Sequence, residues 1–176
     1  MTSRSPGVRL PNAGRPARLV AFGTWLPSAA PSKAQAHVQW YESGAAWLRP
    51  GMVFSAVVVP ARLVHVALRV RKPEECVKPL ARLLAGPVFY SPPGAEHESS
   101  YTALLPVAEG RTWREPQTRL CSGQGLLWVP APGRYLPATD GCPWWVVAGH
   151  GDSLCAAVDL AALVLRSRTE PLRWSG

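Results

Sequence analysis

The sequence predicts an α+β fold, a mainly antiparallel sheet flanked by helices, and three observations carry that expectation. A β-branched run at 52–60 ("MVFSAVVVP") reads as a buried strand, and apolar residues at helical spacing follow it directly. Beyond residue 86 the pattern changes to short apolar runs separated by Gly and Pro clusters, as in an antiparallel meander. A long helical stretch, 152–168, then follows.

Taken in order, residues 1–33 hold Arg4, Arg9, Arg15, Arg18 and Lys33 with no acidic residue, and Pro6, Pro11, Pro16, Pro27 and Pro31 interrupt them. Such a segment offers little apolar surface to offset its ordering entropy, so it reads as a basic, largely flexible arm. Leu19–Phe22 and Trp25–Leu26 are the places where it could dock. A solvated tail and a nucleic-acid-binding arm fit the composition equally. A single globular domain is expected over 34–176. Within it, 34–42 forms a short helix with Ala34, Val38 and Tyr41 on one face. The strand at 52–60 ends at Pro60. A helix over 61–72 carries Leu63, Val66, Ala67 and Val70 as its apolar stripe, and Pro73 stops it. A further helical turn or two spans 74–86, broken at Pro79 and stopped at Gly86.

Strands are expected at 87–91, 100–107, 125–131 and 143–149. Adjacent Trp144 and Trp145 must point to opposite faces of their strand. One belongs to the core, and the other is either covered by a helix or exposed for base stacking. The helix at 152–168 has Asp152 or Ser153 as N-cap and Leu154, Val158, Ala161 and Leu165 along one face. Arg166 and Arg168 complement its C-terminal dipole.

At 176 residues the chain is long enough to bury a real core. It has no apolar run of membrane-spanning length and no secretory h-region, so a cytoplasmic location and no membrane partner are expected. Cys76, Cys121, Cys142 and Cys155 include no C-x-x-C pair and read as buried thiols in a reducing compartment. Sixteen arginines against three lysines, with no isoleucine, follow a GC-rich coding bias, so arginine abundance alone says little. The net charge of +8 nevertheless favours an anionic partner.

Catalytic motifs are missing. No D-x-D pair places two carboxylates on one strand face to grip divalent ions. There is no G-x-S-x-G, Walker loop or H-E-x-x-H. Glu96-His97-Glu98 alternates suitably but lies in a Pro/Gly/Ser-rich segment that reads as a solvated loop. Cys142, His150, Cys155 and Cys121 are conceivable zinc ligands without standard spacing, and no metal site or cofactor is expected. Binding is better supported. Arg62, His65, Arg69 and Lys72, three and four residues apart, fall on one strip of the expected helix opposite Leu63 and Val70, a pattern suited to a phosphate backbone or simply a solvated face. Arg134 joins this nucleic-acid-binding set. Gly123, Gln124 and Gly125 form a turn whose backbone could meet a nucleotide phosphate. Because no helix N-terminus follows, the first reading of that turn is close strand approach.

The segment "GQGLLWVPAPGRYLPATDGCPWWVV" (123–147) resembles the end of the bifunctional DNA primase/polymerase N-terminal domain, where a glycine turn leads into a strand, a Pro-x-Pro break and a tryptophan-bearing strand. "GMVFSAVVVPARLVHVAL" and "LAGPVFYSPPG" resemble shortened members of that family from high-GC bacteria, and the likeness spans about residues 35–168. It implies a primase/polymerase-like fold with an acidic pair on a strand, a histidine on the next and a further acid nearby. Here the strand carries Val57, Val58 and Val59, and the glycine turn has Ser122 and Gln124 where a carboxylate could stand. The resemblance therefore implies a degenerate, non-catalytic relative that binds DNA or nucleotide. Two alternatives stay open. One is an active primase/polymerase using Mg or Mn and scattered carboxylates such as Glu96, Glu98 and Asp140. The other is a protein-interaction or regulatory module that keeps only the fold.

Overall fold

A computed structural model describes residues 23–95, 97–135 and 140–169. Its centre is the β-branched run. Ser55–Pro60 forms β2, preceded by β1 (Ala45–Leu48) and followed by β3 (Val88–Ser91), β4 (Ser100–Leu105), β5 (Arg119–Cys121), β6 (Leu127–Pro130) and β7 (Trp144–Val147). Five of these make one sheet in the order β5-β2-β4-β3-β7, and β1 and β6 pair separately. Every pairing is antiparallel. The helices are α1 (Lys33–Ser43), α2 (Ala61–Leu68), α3 (Val77–Leu83), α4 (Val107–Thr112) and α5 (Ala157–Thr169). The α+β class is as the sequence indicates, but the second half is not a meander. β6 leaves the large sheet to pair with β1, and β7 returns beside β3.

Strand alternation divides the core in two. Val57, Val59, Tyr101, Ala103 and Trp144 pack beneath α2, α3 and α5, against Leu63, Leu80, Leu160 and Leu163. Ala56, Leu104, Phe89 and Trp145 face the other way, toward α1, β1 and β6. Both indoles of the Trp144–Trp145 pair are buried, at 2% and 1% exposure, so neither is free to stack on a base. A register shift between Val88 and Phe89 lets Val146 and Val147 both join the first core.

Several sequence expectations are corrected. The packed unit begins before residue 34. Leu26 is fully buried in a 3-10 turn at Leu26–Ala29, Trp25 meets Phe54 edge-on, and Arg49 N–H donates to Ala29 O at 2.7 Å. The rest of the basic arm, 1–22 with Leu19–Phe22, lies outside the described residues. Helix α1 buries Ala36 and Trp40, not Ala34, Val38 and Tyr41, and Tyr41 is 92% exposed. The indole decides the rotation, since Trp40 offers the largest apolar area and its Nε1 donates to Val129 O at 3.1 Å. Helix α2 stops at Leu68 because Arg69 adopts the left-handed conformation (φ 56°). Pro79 falls in the first turn of α3, where its missing N–H costs no helical bond.

The strand expected to run to residue 107 ends at Leu105, and α4 follows it. Helix α5 starts at Ala157 rather than near Asp152. Its cap comes from across the fold, where Glu109 Oε2 accepts from Ala157 N–H at 2.6 Å. The face expected to carry Val158 and Leu165 is accordingly turned outward, and Leu160, Leu163 and Val164 are buried. Of the four thiols, Cys76 and Cys155 are buried, while Cys121 and Cys142 are only partly so. Among the described residues no helix is long and apolar enough to cross a membrane.

Candidate functional site

The basic strip does not survive as a strip. Arg62 and His65 lie on α2, Arg69 is its left-handed cap, and Lys72 is extended ahead of the 3-10 turn at Pro73–Cys76. Arg62 Nε lies 3.6 Å from Glu98 Oε2 at the surface. His65 is turned inward, its Nε2 2.9 Å from Tyr101 Oη, and that hydroxyl donates to Cys76 Sγ at 3.1 Å. The Nε2 of His65 is thus already engaged inside the fold. Burial drives the Cys76 thiol up to about 11 and raises the Tyr101 phenol as well, so neither is an activated nucleophile.

Burial also lowers the His65 pKa below 6.5, against a smaller opposing pull from Glu75. The folded protein therefore holds His65 neutral where the unfolded chain protonates it. Its contribution to stability is complete above about pH 6.5 and lost as pH falls through the folded value. His65→Gln is expected to flatten the decline in Tm between neutral and mildly acidic buffer. An unchanged decline would place the acid sensitivity elsewhere.

Arg134 is also engaged internally. Its Nη2 meets both Asp140 oxygens, at 2.7 and 2.5 Å, and its side chain lies against Gly44, where an added Cβ would strike the guanidinium. The Cys142 N–H and then this guanidinium hold Asp140 below the ordinary carboxylate range. Arg134 thus holds Asp140 and lies against the end of α1 instead of presenting a free cation. The glycine turn resolves the same way. Gly123 has φ +91° and donates its N–H to Pro50 O at 3.0 Å, and a Cβ on Gly51 would lie 2.5 Å from Gly123 N. Close backbone approach explains Gly51, positive φ explains Gly123, and the Gly123 amide is already used. Gln124 and Gly125 are exposed, with no helix at the turn to add a dipole. Among the described residues no three His, Cys, Asp or Glu side chains converge to hold a metal, so Cys121, Cys142, His150 and Cys155 do not form a zinc cluster.

The site the structure does present was not assembled by the sequence reading. On the face of the large sheet that carries Ala56 and Leu104, the second core covers only part of the surface. The remainder is the floor of a cleft of about 990 Å³. Val58 and Pro60 of β2 lie beside Thr102 and Ser100 of β4, in register, and Ser91 of β3 continues the row. Arg119 stands opposite Val58 on edge strand β5, exposed, with Leu120 turned to the other core. His97, Glu98, Gln117 and Thr118 add polar groups.

Trp47 and Trp128 also line the cleft, directly paired across β1 and β6 with ring centroids 4.9 Å apart. Their strand neighbours Ala46, Leu48 and Val129 are fully buried, so alternation turns the two indoles away from the core, and Trp47 remains 44% exposed. Leu126, 49% exposed, extends this apolar wall. The short strand around Trp47, "AAWL", gives almost no periodic signal; the eight tryptophans in the chain are the one feature of the sequence that points toward an aromatic surface.

Comparison of the chain with protein-family models, with curated proteins and with solved structures gave no match.

Proposed function

We propose that this chain is a non-catalytic nucleic-acid- or nucleotide-binding module of primase/polymerase descent, and that the cleft is its binding site. The observation that carries the reading is the paired, outward-facing Trp47 and Trp128 lining a cleft that also holds Arg119 and a row of hydroxyls. Aromatic faces accept nucleobases and an arginine accepts phosphate, and a chain of net charge +8 attracts a polyanion. The descent rests on the resemblance of residues 35–168 to primase/polymerase domains. The lack of chemistry rests on the floor, where β2, the strand on which an acidic pair would be sought, carries Val57, Val58 and Val59 and turns Val58 to the cleft. Among the described lining residues Glu98 is the single carboxylate, and it lies 3.6 Å from Arg62 in an exposed ion pair. Two-metal phosphoryl transfer needs carboxylates arranged to hold both ions.

The test is binding of a panel of nucleotide ligands, read by tryptophan fluorescence and anisotropy, alongside a nucleotide-incorporation assay with magnesium or manganese. At least one ligand is expected to bind, and Trp47→Ala is expected to weaken it without changing the circular dichroism spectrum. No incorporation is expected with either metal. Metal-dependent synthesis lost on Glu98→Gln would restore the enzyme reading, and binding indifferent to Trp47 would remove the cleft from it.

A further inference from the structure

Resting on that reading of the cleft, we propose that its ligand is an unpaired stretch of single-stranded polynucleotide, with a base stacked on the Trp47–Trp128 wall and one phosphodiester at Arg119, and that free nucleoside triphosphates are discriminated against. The charge inventory decides between the two ligands. Arg119 is the one permanent cation among the described lining residues, and Glu98 places an acid on the same surface. A phosphodiester carries a single charge and matches one guanidinium. A triphosphate concentrates several charges and ordinarily brings a divalent ion that carboxylates must hold. The floor offers it no such carboxylates, presenting Val58, Pro60, Ser91, Ser100 and Thr102 instead.

The wall excludes duplex for a different reason. Trp47 and Trp128 stand tilted by 49° and touch each other, so they form a stacking surface rather than a slot. A base reaches such a surface only when its own π-face is free, which pairing and stacking within a duplex prevent. Ser91, Ser100 and Gln117 add hydrogen-bonding groups for the sugar–phosphate chain, while Thr102 is almost fully covered. This chemistry is common to DNA and RNA single strands, and the 2′-hydroxyl is the one feature that separates them.

The experiment uses the full chain and fluorescein-labelled oligo-dT and oligo-U of about ten nucleotides, within the usual footprint of single-strand platforms. The same dT strand annealed to its complement and free dTTP, with and without magnesium, serve as competitors. Oligonucleotide binding with quenched tryptophan emission is expected, and dTTP should compete at least roughly a hundredfold less well than unlabelled oligo-dT. Trp47→Ala should weaken the oligonucleotide by roughly five- to 150-fold, the loss of one stacked base, and Trp47→Phe should recover most of it. Arg119→Gln should lower the log–log salt slope by about 0.7, one single-strand phosphate contact. Tight, Trp47-dependent binding of dTTP, or of the annealed duplex, would overturn this inference while leaving the cleft a nucleotide site. Absence of binding by every ligand, or oligonucleotide affinity unchanged in both Trp47→Ala and Arg119→Gln, would overturn the cleft reading with it.

Discussion

Trp145→Ala is expected to cost about 3–5 kcal/mol in urea or thermal unfolding, the usual price of emptying a buried aromatic site. Trp145 is 1% exposed in the second core, edge-on to Phe89 with centroids 5.3 Å apart. Its indole Nε1 donates to Ala131 O at 3.0 Å, and its backbone N–H donates to Arg134 O at 2.8 Å. Truncation removes the apolar contacts and also leaves the Ala131 carbonyl without its indole donor. A domain with about 5–15 kcal/mol in hand would lose a large share of its stability. Trp145→Phe keeps much of the volume and loses the hydrogen bond, so a smaller effect of about 1–2 kcal/mol is expected from it. A Tm lowered by only a degree or two in Trp145→Ala would show that this side of the sheet is not packed as described.

The strength of that prediction comes from a feature readable in the sequence. Adjacent residues on one strand point to opposite faces, so Trp144 and Trp145 had to serve two sides of the sheet. The structure adds that both sides are covered, with the pair between two cores, where the sequence left one of them open to base stacking. The β-branched strand before Pro60, the helix after it and the antiparallel pairing were legible for equally local reasons, namely residue type and period. What was not legible depends on partners far along the chain. Helix α5 begins at Ala157 because Glu109 caps it from α4, and no local rule places a cap 48 residues away. Helix α1 turns Tyr41 outward because Val129, on a strand beyond residue 120, receives the Trp40 indole.

The candidate site follows the same logic. Arg62, His65, Arg69 and Lys72 formed a strip only on the assumption of an unbroken helix, and the left-handed Arg69 breaks it. The arginine that does reach the cleft, Arg119, sits on a three-residue edge strand too short to show any period. Trp47 and Trp128 are 81 positions apart and become a pair only through the β1–β6 register. Binding surfaces built on short strands from distant segments leave little mark on periodicity, whereas the core strands that support them leave a clear one.

Gly86→Ala tests the same long-range dependence at a position that, by local rules, only marks the end of a helix. Gly86 lies in the turn between α3 and β3, and a Cβ there would overlap the backbone nitrogen of Cys155 and the carbonyl carbon of Leu154. That segment has no room to retreat. Cys155 N–H donates to Leu104 O at 2.8 Å, its thiol is directed at Pro87 O at 3.5 Å, and its side chain is fully buried. Leu154 packs on the second core and Cys155 in the first, so a shift of this strip disturbs both. The substitution is expected to cost about 3 kcal/mol or more, the upper end of overpacking, because the clash is with backbone rather than a flexible side-chain end. Gly125→Ala supplies the control, having nothing within 4 Å of the added Cβ, and should change stability by no more than about 0.5 kcal/mol. Equal Tm values for the two variants would mean that the 154–155 strip yields easily, and that the link it makes between the two cores contributes little to the fold.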